Sequence, residues 1–419
     1  MESQEIPYIP PHIVLRRYEE IEIYDLKEDE SYIIDEEAYS LLKLIDGAHT
    51  YEEILALFSE NKKQEIIEAL NSFYELDIIH SSPTTNINSL FTIKHLDLPE
   101  KNPFNHPYLK NLMINITEKC NLTCKHCYIK DKNSVDFPFA KLKKIITDFY
   151  NLQGIKLVLT GGEPLLYNKI HDLLIFLKDI PIGKILLTNG VLIEKKSDLI
   201  NLLKENNFEL FVSIDGLEDT HNDFRDADCF QDTIEGIKLL LEKKNKVSIN
   251  TMVHKQNLKE FPDLLKLIKS LGNIINWTID IPTFDKLTPK SIRNKYKVTA
   301  EEGGEILKSY GWGEFHGSES YDFACGPNLM AIDVLGVVTK CGFFYDENVG
   351  NVFDLGLKKS WERIQKNLNW RITDLDCFKL GCEYLESCRG GCRYRAYQTT
   401  GNIRGIDSYK CAQFGKLNE

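Results

Sequence analysis

A strand–helix rhythm between residues 111 and 281 constrains the fold of this 419-residue chain more than any other feature. Apolar, β-rich runs stand at "NLMINIT", "IKLVLT", "KILLTN", "LFVSID", "VSINTMV" and "NWTIDI". Between them lie helical stretches near residues 138–152, 168–180, 192–206, 228–244 and 257–271. Strands that are apolar throughout must be covered on both faces, and strands that alternate with helices run parallel. Six such units predict an α/β fold, a partial (β/α)6 TIM-like barrel. A barrel carries its chemistry on the loops at the C-terminal ends of its strands.

The eleven cysteines divide the chain further. None precedes Cys120. A triplet follows (Cys120, Cys124, Cys127), then a lone Cys229, then seven from Cys325 to Cys411. The N-terminal stretch has no apolar core of the kind an export signal carries, so a reducing cytoplasm is expected. There, metal ligation is favoured over disulfides. A formal charge of −12 argues against nonspecific nucleic-acid binding. The longest apolar runs are too short to span a bilayer, so neither nucleic acid nor membrane is an expected partner.

Five segments result: residues 1–90, a linker at 91–109, the barrel at 110–282, a bridging region at 283–320 and a cysteine-rich region at 321–419. In the first, "VLRRYEEIEIYDLKEDESYIID" carries two or three short strands with a turn near Lys27–Glu30. "EEAYSLLKLID" reads as a helix ended by Gly47, and Thr50 as the N-cap of "YEEILALF". A third helix is expected from about Lys63 to Leu76, giving a winged-helix-like α+β module.

The triplet "CNLTCKHC" lies in the loop after the first barrel strand. A zinc ion held by these thiolates needs a fourth ligand to close its tetrahedron. An iron–sulfur cube takes one ligand per iron, so three thiolates leave one iron open. Companion motifs stand at successive strand ends: "LTGGEPLL", "LLTNG", "VSIDG" and Asn250–Thr251. Each alone suits an ordinary strand-to-helix turn. Together, with C-x3-C-x2-C followed by an aromatic, they resemble the radical S-adenosylmethionine (radical SAM) superfamily. The resemblance implies a 4Fe-4S cluster on Cys120, Cys124 and Cys127 whose open iron chelates SAM, yielding a 5′-deoxyadenosyl radical on reduction. It implies SAM contacts from Gly161, Gly162, Asn189, Ser213, Asp215 and Asn250, with Glu163 accepting from the SAM ammonium. His126 and Tyr128 would lie near the adenine. Arg225 would reach the SAM carboxylate or form a surface salt bridge, and Cys229 would be a buried or incidental thiol.

The C-terminal cysteines resemble the SPASM extension of that superfamily, with four residues between Cys377 and Cys382 where the family usually has two. Zinc knuckles are the alternative. The resemblance implies two auxiliary 4Fe-4S clusters, three in all. Cys377, Cys382, Cys388 and Cys411 would hold the distal one, and Cys325, Cys341 and Cys392 the proximal one. The stretch "GSESYDFA" lacks the further cysteine of fully ligated relatives, so the proximal cluster would have an open iron or a non-cysteine ligand. Residues 1–90, through "YIIDEEAYSLLKLIDGAHTYEEILALF", resemble the PqqD-like recognition element, which pairs a strand edge with a precursor's leader peptide. Plain structural support is the other reading of that module. The whole resembles maturases of the sactipeptide and ranthipeptide type, which install a thioether in a ribosomally made peptide. Alternatives are a carbon–carbon crosslink, modification of a haem precursor, or a non-catalytic peptide-binding scaffold. Implied partners are the precursor peptide and an electron donor such as ferredoxin or flavodoxin.

Overall fold

The computed structural model describes residues 4–82, 98–127, 129, 134–284, 288–311, 322–344 and 347–416. The chain forms two compact units, Met1–Tyr108 and Leu109–Glu419.

In the first unit β1 (Ile6–Tyr8) leads into a meander of β2 (Ile13–Arg17), β3 (Ile21–Asp25) and β4 (Glu30–Ile34). Helices α1 (Glu36–Leu42), α2 (Tyr51–Ala56) and α3 (Glu60–Glu75) follow, and β5 (His80–Ser82) returns to pair antiparallel with β1. The turn between β3 and β4 is organised by the Asp25 carboxylate, which accepts from the Lys27 and Glu28 amides at 2.6 and 3.1 Å. Thr50 caps α2 as expected. Its hydroxyl accepts from the Glu53 amide at 3.2 Å, and the Glu53 carboxylate accepts from the Thr50 amide at 2.8 Å. Helix α1 stops at Leu42 rather than running to Asp46, because the chain tightens into Leu44→Leu41 and Ile45→Leu42 amide–carbonyl bonds that bury Ile45. Leu15, Ile23, Leu42, Ile45, Ile54 and Leu70 form the centre of the core. Strand β4 lies at the edge of its sheet and is largely exposed, including Ile33.

In the second unit the expected rhythm appears as β6 (Asn111–Thr117), α4 (Phe139–Asn151), β7 (Lys156–Gly161), α5 (Ile170–Leu177), β8 (Gly183–Thr188), α6 (Ile200–Glu205) and β9 (Phe208–Ser213). It continues through α7 (Glu218–Arg225), α8 (Phe230–Glu242), β10 (Lys246–Met252), α9 (Phe261–Leu271) and β11 (Trp277–Asp280). The six strands are parallel and lie in chain order, the α/β partial barrel expected. Their interiors, such as Leu112, Ile114, Leu159, Leu210 and Ile249, are wholly buried. Helix α7 has no counterpart in the expected helices. Its sequence "EDTHNDFR" is polar almost throughout, and it is held by a few buried residues, His221, Phe224 and Arg225.

The bridging region contributes α10 (Lys290–Tyr296) and α11 (Ala300–Tyr310). The sheet then continues where no strands were expected. Strand β12 (Leu329–Ile332) pairs parallel with β6, and β13 (Val337–Thr339) and β14 (Asn348–Asn351) extend it antiparallel to nine strands. Runs of three or four residues carry too little period to be told from loops. Helices α12 (Val352–Asn367), α13 (Asp376–Lys379), α14 (Leu385–Cys388), α15 (Arg393–Thr400) and α16 (Ser408–Gln413) complete the unit. α11 lies close against α16: a Cβ on Gly304 would fall 2.2 Å from the Ala412 Cβ. Among the described residues no helix is long and apolar enough to cross a membrane.

Candidate functional site

The motif residues gather at the C-terminal ends of β6 to β10. The cysteine loop that leaves β6 is pinned from three sides. On one side Gly162 donates its amide to the Thr117 carbonyl at 2.8 Å, and Glu163 to the Lys119 carbonyl at 2.7 Å. These bonds need a very close approach. A Cβ on Gly161 would fall 2.3 Å from the Thr117 oxygen, and one on Gly162 at 2.3 Å from the Lys119 oxygen. The glycines therefore give room to the cysteine loop itself, a role the motif alone does not reveal. On a second side Asn189 Nδ2 donates to Asn121 Oδ1 at 2.9 Å. On the third, Lys125 donates its amide to the Phe224 carbonyl at 3.0 Å and Thr123 its hydroxyl to Asp226 at 2.9 Å.

The Glu163 carboxylate, expected to meet SAM, also accepts three hydrogen bonds from within the protein. It is wholly buried and accepts from the Thr188 hydroxyl at 2.8 Å, the Asn189 amide at 2.9 Å and the Leu165 amide at 3.2 Å. Burial pushes its pKa up to about 7 against those hydrogen bonds. It ties the end of β7 to the end of β8.

Arg225 is no surface residue. Its Nη2 pairs with Asp215 Oδ2 at 2.5 Å, with side-chain exposures of 8% and 0%, and its Nη1 reaches Cys124 Sγ at 3.7 Å. Burial, the largest influence, would raise the Asp215 pKa, but the Arg225 charge together with His126, His221 and the Met252 amide holds the group below its ordinary value. A guanidinium beside a thiol favours its thiolate, the form that binds metals. His126 stacks on Phe224 (centroids 4.3 Å apart, planes at 9°), and Phe224 on His254 (3.9 Å, 17°). Enclosure, with the Arg225 charge second, pushes the His126 imidazole down to about 3, so it is neutral. Cys229 is buried against Leu122 and Val191, with Cys120 and Cys124 packed on the same cluster. Burial raises its thiol to about 11, which suits packing rather than chemistry.

Ser213 donates to the Thr188 carbonyl at 3.4 Å, and Asn250 Oδ1 accepts from Thr278 at 3.1 Å. Asn250, with Met113, Leu187, Ile279 and Phe344, lines a cavity that Cys325, Cys341 and Cys392 also line. Tyr128 lies outside the described residues.

Within the C-terminal cysteines two sets are drawn together. Cys392 hydrogen-bonds Cys325, which holds the Cys325 thiol below its ordinary pKa and Cys392 well above it; Cys341 acts electrostatically on Cys325, and Cys392 on Cys341. In the other set the charges of Cys377, Cys388 and Cys382 act on Cys411. The two groups contain the cysteines that the resemblance assigns to a proximal and a distal cluster. Among the described residues no group of three or more His, Cys, Asp or Glu side chains is placed to hold a metal ion. The donor chemistry, all thiols, fits iron–sulfur clusters, and the three loop cysteines with their guanidinium neighbour fit a cluster that binds SAM.

Four polar residues around these thiols were not singled out from sequence. Lys340, buried beside Cys341, donates to Asn369 Oδ1 and to the Pro327 carbonyl at 3.4 Å. Arg395 binds Asp280 at 2.6 Å and Asp407 at 2.9 Å, and Asp407 accepts from the Cys392 amide at 2.8 Å. The guanidinium thereby ties the end of β11, through Asp407, to the Cys392 backbone. Only adjacency to cysteine marked Lys340 in the sequence, and nothing marked the Asp280–Arg395–Asp407 group, whose members are 115 and 12 residues apart.

Residues 114–268 match the radical SAM superfamily profile. The chain is 27% identical over 343 residues to the AdoMet-dependent heme synthase of Methanosarcina barkeri, covering 72% of this chain and 96% of that protein. It is 22% identical over 382 residues to the antilisterial bacteriocin subtilosin biosynthesis protein AlbA of Bacillus subtilis, covering 86% of this chain and 84% of that one. Its fold is similar to that of Streptococcus suis SuiB bound to S-adenosylmethionine, with a TM-score of 0.66 at 17% identity over 96% of this chain and 99% of SuiB. The SuiB structure with its precursor peptide SuiA gives 0.65. Residues 114–268 thus form a radical SAM domain, and the chain is a radical SAM enzyme related in sequence to a haem synthase and to a bacteriocin-biosynthesis protein.

Proposed function

We propose that the chain matures a ribosomally made peptide by closing a thioether between a cysteine sulfur and a carbon of another residue of that peptide. The observation that carries this reading is the uneven cysteine count. Four thiols belong to the set around Cys411, but only three to the set around Cys325, and those three line the cavity. A three-thiolate set leaves a position that a substrate sulfur can take, and a bound metal deprotonates such a thiol. When bound, SAM and the clusters supply the hydrogen-abstracting radical and an electron acceptor.

The chain's own residues supply the rest. Met113, Leu187, Ile279 and Phe344 wall the cavity and keep water out. Burial pushes the Lys340 ammonium down to about 7, and its charge in turn favours the thiolates of Cys325 and Cys341 beside it. Arg395, through Asp407, holds the Cys392 backbone in place. The open edge of β4 offers backbone groups to an added leader strand. The likeness to a bacteriocin-biosynthesis protein over 86% of the chain supports a peptide substrate. The likeness to a haem synthase, over 72% of the chain, favours a second reading in which a porphyrin precursor is modified.

Mass spectrometry of a cysteine-containing precursor peptide with its leader, incubated with reconstituted enzyme, SAM and reductant, separates these readings. The thioether reading expects the peptide to lose a pair of hydrogens and gain a link to its cysteine, with no such product from a Cys-to-Ser precursor. A carbon–carbon link that forms equally in both peptides, or turnover of a porphyrin precursor alone, would overturn it.

A further inference from the structure

Lys255, Lys290, Arg293 and Lys297 line one open hollow away from the cavity. Lys290 and Arg293 lie on α10, Lys297 follows it, and Lys255 is tied alongside by its amide, which donates to the Tyr296 carbonyl at 2.9 Å. None of the four forms an ion pair or a side-chain hydrogen bond among the described residues, whereas neighbouring Lys295 pairs with Asp223 at 2.7 Å. Arg293 Nε is enclosed without a partner. Four unpaired cations in one place are unexpected on a chain whose formal charge is −12.

What lies behind the hollow gives it a meaning. Tyr296, between Lys295 and Lys297, is wholly buried, and its ring packs 5.2 Å from that of Phe224. Phe224 stacks 4.3 Å from His126, which stands between Cys124 and Cys127. A file of three rings thus joins Tyr296, the last residue of the helix whose Lys290 and Arg293 line the basic hollow, to the cysteine loop.

We propose that this hollow docks an acidic one-electron donor protein, carrying a low-potential flavin or iron–sulfur centre, next to the centre held by Cys120, Cys124 and Cys127. The proposal rests on the radical SAM reading of that triplet and is independent of the thioether product. The electron balance is simple: the donor's centre loses one electron, the centre on the cysteine loop gains it, and no bond forms or breaks in that step. Two acidic proteins repel at long range, so a local basic patch selects one face and one orientation for the encounter. The rest of the surface works against every other face.

The test uses full-length, cluster-reconstituted enzyme and an acidic FMN-carrying flavodoxin as the probe. Two variants are compared with the parent: K255E/K290E/R293E/K297E, and the milder K255Q/K290Q/R293Q/K297Q. Calorimetric binding of oxidised flavodoxin should weaken by about ten-fold or more in the glutamate variant and less in the glutamine one, and in the parent it should weaken with added salt. Deoxyadenosine formation driven by reduced flavodoxin should fall in the same order, while formation driven by dithionite stays unchanged. Equal flavodoxin-driven rates in parent and variants overturn the proposal. So does an equal loss with both reductants in the glutamine variant with parental thermal stability. Binding of inorganic phosphate at the hollow with unaltered flavodoxin-driven cleavage would mark a small-anion pocket and overturn it too. Absence of dithionite-driven cleavage in the parent would instead remove the triplet reading, and the proposal with it.

Discussion

The residues around the cysteine loop show how little room a single atom has. Gly162 carries no side chain because Lys119 O sits where a Cβ would be. Gly162→Ala should therefore push the loop off its strap and prevent assembly of the SAM-binding cluster. We expect total iron to fall by about one third with auxiliary signals retained in electron paramagnetic resonance. Parental iron content would show that the loop can yield. Lys184 on β8 makes the opposite kind of statement, since it is a charge buried at some cost. It is 8% exposed, its Nζ reaches only the Asn206 carbonyl at 3.4 Å, and burial pushes its pKa down to about 8 against the charge of Asp179. The folded state thus binds this proton less tightly than the unfolded chain. Lys184→Met should stabilise the protein by about 2 kcal/mol at pH 7. That gain is fully present below pH 8 and fades as pH rises toward the ordinary lysine value of 10.5, where the unfolded lysine also loses its charge. Urea unfolding of both proteins at pH 7 and pH 10 checks this, and a gain independent of pH would contradict it.

At the scale of elements, the N-terminal unit and the polar helix α7 carry different burdens. The unit Met1–Tyr108 has its own core and none of the eleven cysteines. Deleting residues 1–108 should leave SAM cleavage without peptide intact but abolish turnover of a full-length precursor, because the leader would have no strand edge to join. Equal precursor turnover, followed by mass spectrometry, would reduce the module to structural support. Helix α7 escaped the periodic pattern because its hold on the protein is a few buried groups rather than an apolar stripe. Those groups, Phe224 and Arg225, contact His126 and Cys124, which makes a short, polar helix one wall of the site.

For the whole molecule, the sheet of nine strands brings the cysteine loop of β6 and the cysteines around β12 and β13 into one unit. β12 pairs directly with β6, so Cys325 and Cys341 are placed by the same sheet that places Cys120. Reconstituted protein is expected to hold about twelve irons, four in each of three cubes. Replacing Cys120, Cys124 and Cys127 together by Ala should remove about one third of the iron and all SAM cleavage. Retained deoxyadenosine production in that variant would refute the assignment of the SAM cluster.

Local pattern was enough to read the six parallel strands, the helix cap at Thr50, the cysteine triplet and the motifs at the strand ends. Apolar runs, capping residues and cysteine spacing act over a few neighbouring residues, so the sequence alone determined them. Partner choice is different, because burial and charge pairing act between residues far apart in the chain. Only the tertiary structure turned Arg225 from a candidate surface residue into the buried partner of Asp215 and Cys124. It alone gave the motif glycines a backbone to approach and bound the Glu163 carboxylate to Thr188 and Asn189. It alone extended the sheet through β12, whose four residues gain their strand character from pairing with β6 and not from any period of their own.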